Sequence, residues 1–280
     1  MISASKIFIV SIFILICLAK SFAQDSFQYQ FDLAKKLYDE ENYFDAVTEF
    51  KRLLFFDETG RFLYEANKLI GLSYKEGAKF SDAIHFLALA EINASTSEQI
   101  FESKIEIIKI NILRRTTSRA LSLLDDLKKD ERFSNKSNEI NFWTGWTYIF
   151  ADDWEKASTE FALIDSTHFL KTFCDSVNND LYNVTLAKTL SIVPGFGQFY
   201  TGEYISGFIS IGWNVLWGYL TINAFTEDRV FDGFVIGTLL WYRFYNGNLQ
   251  NAEKFATQKN LEKTNSALHY LKNNYKGNKP

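Results

Sequence analysis

Four short stretches decide the fold: Tyr43-Phe44-Asp45-Ala46, Phe80-Ser81-Asp82-Ala83, Thr117-Ser118-Arg119-Ala120 and Trp154-Glu155-Lys156-Ala157. Their alanines recur every 37 residues, and the residue four places on is Phe50, Leu87, Leu124 or Phe161. Twelve places before each Ala stand Ala34, Gly71, Ile108 and Gly145, and nine places before stand Leu37, Tyr74, Asn111 and Tyr148. A fixed period of this length predicts stacked structural repeats. The spacing has a packing cause. In two antiparallel helices a small residue of the first, such as Gly71 or Gly145, faces Ala83 or Ala157 of the second and lets the backbones approach. Larger residues one turn away fill the flanks, and neighbouring hairpins cover one another's apolar faces. The alternative open to the pattern is an irregular helical bundle with coincidental alanine spacing.

Composition points the same way. The chain has 280 residues, 47% of them hydrophobic, with 27 Phe and 14 Tyr but only 2 Pro, one of them the last residue. That balance excludes general disorder and a fibrous chain and predicts an all-α class in one or two domains. A net charge of −4, with no basic stripe interleaved with aromatics, argues against nucleic acid as a partner. Cys17 and Cys174 are the only cysteines, so no disulfide framework survives removal of a leader carrying the first.

The small, aromatic, small, aromatic order of Gly71, Tyr74, Ala83 and Leu87, and of Gly145, Tyr148, Ala157 and Phe161, resembles the tetratricopeptide repeat family over residues 28–165. The departures are the longer period, the lack of a Pro closing any repeat, and Ile108 and Asn111 where Gly and Tyr are typical. The resemblance implies a solenoid of four helical hairpins over 24–165, whose first helices line a groove for a protein or peptide partner. On that phasing the groove residues are Phe31, Lys35, Tyr38, Lys68, Leu72, Lys75, Ile105, Lys109, Phe142, Trp146 and Ile149. Such a mixture of aromatics and lysines suits a segment with aliphatic anchors and a few carboxylates; the other role open to these side chains is packing between repeats. Leu72 and Glu76 occupy positions where a carboxylate clamp needs Asn. Residues 166–185, with Phe169, Leu170, Phe173, Val177, Leu181 and Tyr182 at helical spacing, are expected as a helix capping the last hairpin.

Residues 1–23 read as a signal peptide: Lys6, an apolar run from Ile7 to Ala19, then Ser21-Phe22-Ala23 ahead of Gln24. Lys20 ends that run after 13 residues, too few to cross about 30 Å of hydrocarbon as an uncleaved anchor, which is the alternative. Leu15-Ile16-Cys17 lacks the small residue expected before a lipidated cysteine. The repeats are therefore expected on the extracytoplasmic, periplasmic side of a bacterial cell-envelope membrane.

From Leu186 the composition changes, and Tyr204 to Thr226 gives 23 residues without a formal charge, enough to span a bilayer. Gly202, Ser206, Ser210, Asn214 and Gly218 recur every four positions along it. A second stretch, Val230 to Tyr242, carries Gly233 and Gly237 at the GxxxG spacing that lets membrane helices meet closely. The two predict a transmembrane hairpin joined by Glu227-Asp228-Arg229 within a module at 186–247. A single span is the alternative, leaving the tail with Lys259, Lys263, Lys272, Lys276 and Lys279 across the membrane, as the positive-inside rule prefers. Pro194, Gly195, Gly197, Gln198, Tyr200 and Gly202 form a segment similar to the signature that opens two-helix membrane modules of the TM2 type, over residues 190–245. Its glycines are expected to turn the backbone sharply and bring it close to the membrane. The resemblance implies a helical hairpin and no reaction. Residues 248–280 are expected as an amphipathic helix and a polar tail.

His85, His168 and His269 lie apart, and no nucleophile elbow, zinc motif, CxxC pair or P-loop is present. The acid pairs Asp125-Asp126 and Asp152-Asp153 fall at helix starts or turns, where acids cap helices. No catalytic, cofactor-binding or metal-binding residue is therefore expected, and the chain does not read as an enzyme. Two functions fit the pattern. One is a membrane-anchored repeat adaptor or scaffold for protein–protein interaction. The other is a membrane-active insertion, transport or assembly factor, whose hairpin oligomerises and whose repeats regulate it.

Overall fold

The computed structural model describes residues 26–280, so the leader expected at 1–23 and its Cys17 lie outside the described residues. Every regular element among the described residues is helical. The chain divides between His168 and Phe169 into two units, described separately below.

The first unit runs through α1 (26–39), α2 (Tyr43–Phe56), α3 (Leu63–Glu76), α4 (Phe80–Ile92), α5 (Ser97–Leu113) and α6 (Thr117–Lys129). A 3₁₀ turn at Glu131–Lys136 then leads to α7 (Ser137–Phe150) and α8 (Trp154–Ala162). Each helix from α2 to α8 packs on the next. Ala34 of α1 joins Ala46, Phe50 and Leu53 of α2 and Ala66 and Ile70 of α3 in one core.

The 37-residue period marks the interior. Ala46, Ala83, Ala120 and Ala157 are all 0% exposed, and Phe50, Leu87, Leu124 and Phe161 are buried beside them. A methyl added to Gly71 would lie 2.7 Å from Leu87 Cγ and 3.2 Å from the Ala83 carbonyl oxygen, and one added to Gly145 would lie 2.6 Å from Phe161 Cζ. In the third hairpin Asn111, at the phase of Tyr74 and Tyr148, ties the turn: its Nδ2 donates to the Ile107 carbonyl at 2.8 Å and its Oδ1 accepts from Thr116 Oγ1 at 2.8 Å.

The turns repeat as well. Glu41, Ala78, Arg115 and Asp152 all adopt left-handed backbone, with φ of 61°, 54°, 57° and 59°. In each case the next amide reaches back five residues, from Asn42 to Leu37, Lys79 to Tyr74, Thr116 to Asn111 and Asp153 to Tyr148. This is the Schellman closure, which satisfies carbonyls left open at a helix end and reverses the chain. None of the four residues is glycine, so each turn carries roughly 1–2 kcal/mol of backbone strain.

The second unit comprises α9 (Phe169–Asp180), α10 (Val184–Leu190), α11 (Phe196–Tyr200), α12 (Tyr204–Thr226) and α13 (Val230–Val235). A π-helical turn at Ile236–Trp241 follows, then α14 (Tyr242–Asn274). The last three run on without a break from 230 to 274. The stretch expected to stop at Tyr242 therefore continues, and helix replaces most of the polar tail expected within 248–280. The reason is a stripe of Ala252, Ala256, Thr264, Ala267 and Leu271, buried while α14 packs on α9, α10 and α11. The segment 166–185 contributes α9 to this unit. There Phe173 stacks on Tyr270 at 5.5 Å and Phe169 on Tyr275 at 5.8 Å. The reversal between α12 and α13 falls at Glu227-Asp228-Arg229, with Asp228 at φ 60° and the Arg229 amide bonded to the Ala224 carbonyl.

Candidate functional site

In the second unit the segment from Pro194 to Gly202 is an internal clasp. Gly195, at φ 88°, leaves no room for a side chain, because a methyl there would meet the Gly207 carbonyl oxygen at 2.6 Å. A methyl at Gly197 would overlap Ser191 Oγ and the Ala187 carbonyl, and would lie 2.8 Å from Ala252 Cβ. Gly202 adopts φ 77°, and the Glu203 amide closes back on the Gln198 carbonyl at 2.7 Å. What Gly195 and Gly197 admit is thus backbone and side chains of α10, α12 and α14. The Tyr200 hydroxyl accepts from the Asn183 amide at 3.1 Å.

One side chain holds the clasp together. Asn248 of α14 is 2% exposed. Its Oδ1 accepts from the Gly195 amide at 3.0 Å, Gln198 Nε2 at 3.0 Å and Ser210 Oγ at 2.7 Å, and its Nδ2 donates to the Ser191 carbonyl at 2.6 Å. Gln198, fully buried, also donates to the Asn248 carbonyl at 3.0 Å. Nearby, the Tyr245 hydroxyl donates to the Ile192 carbonyl at 3.1 Å. Sequence reasoning singled out Gln198 and Ser210 but not their partner Asn248. No local signal joins residues about fifty positions apart.

The GxxxG pair Gly233 and Gly237 faces α12. Gly233 lies against Phe225 at 3.0 Å and Gly237 against Thr221 at 3.1 Å, measured from the methyl each lacks. Asn214 Nδ2 donates to the Ser210 carbonyl at 2.8 Å. Ser206, Ser210 and Asn214 line a cleft of about 360 Å³ together with Arg243, Asn248 and Asn251. A second cavity of about 450 Å³, lined by Phe225, Phe234, Trp241, Tyr242 and Tyr245, is apolar.

In the first unit the groove residues divide. Ile105, Trp146 and Ile149 are 4%, 2% and 0% exposed, so they pack between helices rather than line an open surface. Phe31 is half-buried and stacks on Phe62 at 4.9 Å, Phe142 lies edge-on to Phe161 at 5.8 Å, and Tyr38 lies edge-on to Tyr43 at 5.7 Å. Leu72 is half-buried and Lys35 exposed. Lys68 pairs with Glu102 at 2.5 Å, and Glu106 pairs with Lys75 at 3.2 Å and Lys109 at 2.5 Å. Lys109 also lies 4.6 Å from the centre of the Trp143 ring.

The expected basic character is thereby corrected, because acids of α5 neutralise these lysines. Their signal was Glu98, Glu102 and Glu106 at i, i+4, i+8 on one helix face, with Lys136 taking Glu98 at 2.6 Å. The hydrogen bond from Lys68 holds the Glu102 carboxyl below the usual carboxylate range. Burial pushes Glu106 upward, yet Lys109 and Lys75 outweigh it and hold that carboxyl low too.

Among the described residues no three His, Cys, Asp or Glu side chains gather as metal ligands. His168 stacks on Phe161 at 5.4 Å. Asp125 is paired with Lys129, and Asp153 caps α8 by accepting the Lys156 amide at 3.1 Å. Cys174 is fully buried and its thiol is pushed up to about 12 by that burial, the opposite of an activated nucleophile. No protein family, curated protein or solved structure matches this chain.

Proposed function

We infer that this chain is a non-enzymatic, membrane-anchored adaptor: the second unit is the anchor and the first presents tetratricopeptide-like repeats to a protein partner. The observation that carries the reading is the apolar surface of the second unit. Helix α12 is long and apolar enough to cross a membrane, yet only 22% of its most apolar window is buried. Ile205, Phe208, Val215, Tyr219 and Ile222 on α12, and Phe231, Phe234 and Leu239 facing solvent beyond it, are each more than 60% exposed. Moving that many large side chains from water into lipid stabilises the inserted state by on the order of 10 kcal/mol. Monomeric soluble chains rarely leave so continuous an apolar patch uncovered.

The hairpin form of the anchor is supported by the unbroken helix beyond the Asp228 turn, whose first twenty residues measure about 30 Å. The solenoid form of the first unit is supported by the four equivalent turns and by the glycine and alanine contacts between paired helices. Placement of the repeats outside the cytoplasm rests on the leader read at 1–23. A polar cleft inside so apolar a unit favours the second reading, a membrane-active factor, as far as the anchor also takes part in assembly.

The test is membrane extraction with protease protection. The mature chain should stay in the membrane pellet through alkaline carbonate washing. Its repeats should be digested when protease reaches the extracytoplasmic face alone. Recovery as a monomer in detergent-free buffer would overturn the anchor.

A further inference from the structure

A charge without an ion-pair partner borders the cleft between α12 and α14. Arg243, an exposed residue at the edge of the cleft, makes no ion pair or hydrogen bond among the described residues. Asn214, on the facing wall formed by α12, is 5% exposed, and its Oδ1 is buried without a donor. The bond from Asn214 Nδ2 to the Ser210 carbonyl fixes which way the amide is turned, so the orphan is the acceptor oxygen.

The depth of this pair follows from the register. Ser210 bonds Asn248, and Trp213 and Trp217 stack on Phe244 at 5.3 and 6.2 Å, which sets Arg243 level with the middle of α12. Asn214 stands eleven residues after Glu203 and thirteen before Glu227, the acids that bound the helix. That is roughly 15–20 Å from either end. On the anchored reading proposed above, on which this inference rests, Arg243 therefore faces the hydrocarbon centre, where a cation is costly unless an anion meets it.

Two sources of that anion fail. A second copy of this chain has no acid between Glu203 and Glu227, and none between Asp232 and Glu253. A phospholipid phosphate stays at the interface, a helix half-length away. We propose that the cleft receives a transmembrane helix of a partner protein carrying one Asp or Glu at mid-depth. The carboxylate meets the Arg243 guanidinium. A cleft of about 360 Å³ takes such side chains, while the partner backbone lies on the exposed apolar face.

The test reconstitutes the full chain in phosphatidylcholine vesicles and follows energy transfer to labelled polyleucine transmembrane peptides whose central residue is Glu, Gln or Leu. The Glu peptide should associate about ten-fold more tightly than the Leu peptide. Arg243→Met should erase that preference, and Arg243→Lys should keep part of it. Equal association of all three peptides overturns the proposal, as does a preference that survives Arg243→Met. So does competition by anionic phospholipid, or Arg243-dependent self-association without peptide. Vesicle flotation separates the two readings. A chain that fails to float overturns the anchor and this proposal together, whereas one that floats but does not discriminate overturns this proposal alone.

Discussion

Gly145→Ala sets two effects of opposite sign against each other. In an open helix interior Ala is favoured over Gly by about 1 kcal/mol. At this position the new methyl would lie 2.6, 2.8 and 2.9 Å from three atoms of the Phe161 ring. That ring is 0% exposed and is held by Phe142 on one side and by His168 stacked 5.4 Å away, so it has little room to give. Overpacking of this kind costs about 1–3 kcal/mol, and the rigid neighbours place it in the upper half. Net of helix propensity, α7 and α8 should lose about 1–2 kcal/mol. The assay is amide hydrogen exchange by mass spectrometry on the full chain in mild detergent, where that loss reads as roughly ten-fold faster exchange across both helices. Gly77→Ala is the control. Its nearest neighbours are 3.7 Å from the added methyl and its φ is −77°, so exchange in α3 should slow slightly. Adding Phe161→Leu to Gly145→Ala should recover about 1 kcal/mol relative to the sum of the single changes. Slower exchange in Gly145→Ala would refute the reasoning, since it would mean that propensity acts unopposed and α8 does not sit on that glycine.

Asn248→Leu keeps the volume but strands the Gly195 amide and the Ser191 carbonyl and takes the acceptor from Ser210 Oγ, so thermal unfolding of the detergent-solubilised chain should report a loss of about 3 kcal/mol or more. An unchanged melting temperature would remove Asn248 from the centre of the clasp. Ala78→Gly relieves left-handed backbone at φ 54° and should stabilise the second hairpin by about 1 kcal/mol, read as slower exchange in α3 and α4. Glu102 and Glu106 both lie below their ordinary value of 4.5 in the folded chain. Their contribution is therefore fully present above pH 4.5 and is lost as pH falls through the lower folded values. The urea midpoint of the first unit should drop in that acid window, and Glu106→Gln should flatten the drop.

The helical class and the interior of the first unit were legible because their determinants are close in sequence. Ala46, Ala83, Ala120 and Ala157 sit at one phase of a local period, and a residue small enough to admit a neighbouring backbone announces itself by type. Three of the four turns were not legible. Glu41, Ala78 and Arg115 share a conformation that none of their side chains favours, and a Schellman closure at φ near 60° is imposed by the packing of the helices on either side. The basic groove was misread for a related reason. Lys68 and Lys75 are visible on α3, but the acids that pair with them stand on α5, about one repeat away.

The amino-acid order alone settled that this chain forms helices, where small residues recur, and that an uncharged run of membrane length follows the repeats. Those properties depend on each residue's own size, polarity and near neighbours along the helix. Tertiary structure decided that Asn248 closes on Gly195 and Gln198, that acids of α5 silence the lysines of α3, and that Arg243 shares a cleft with an unsatisfied Asn214. Each of these joins groups on different helices. Hydrogen bonds and charges act over a few ångströms of space, and distance along the chain does not say which helices will stand that close.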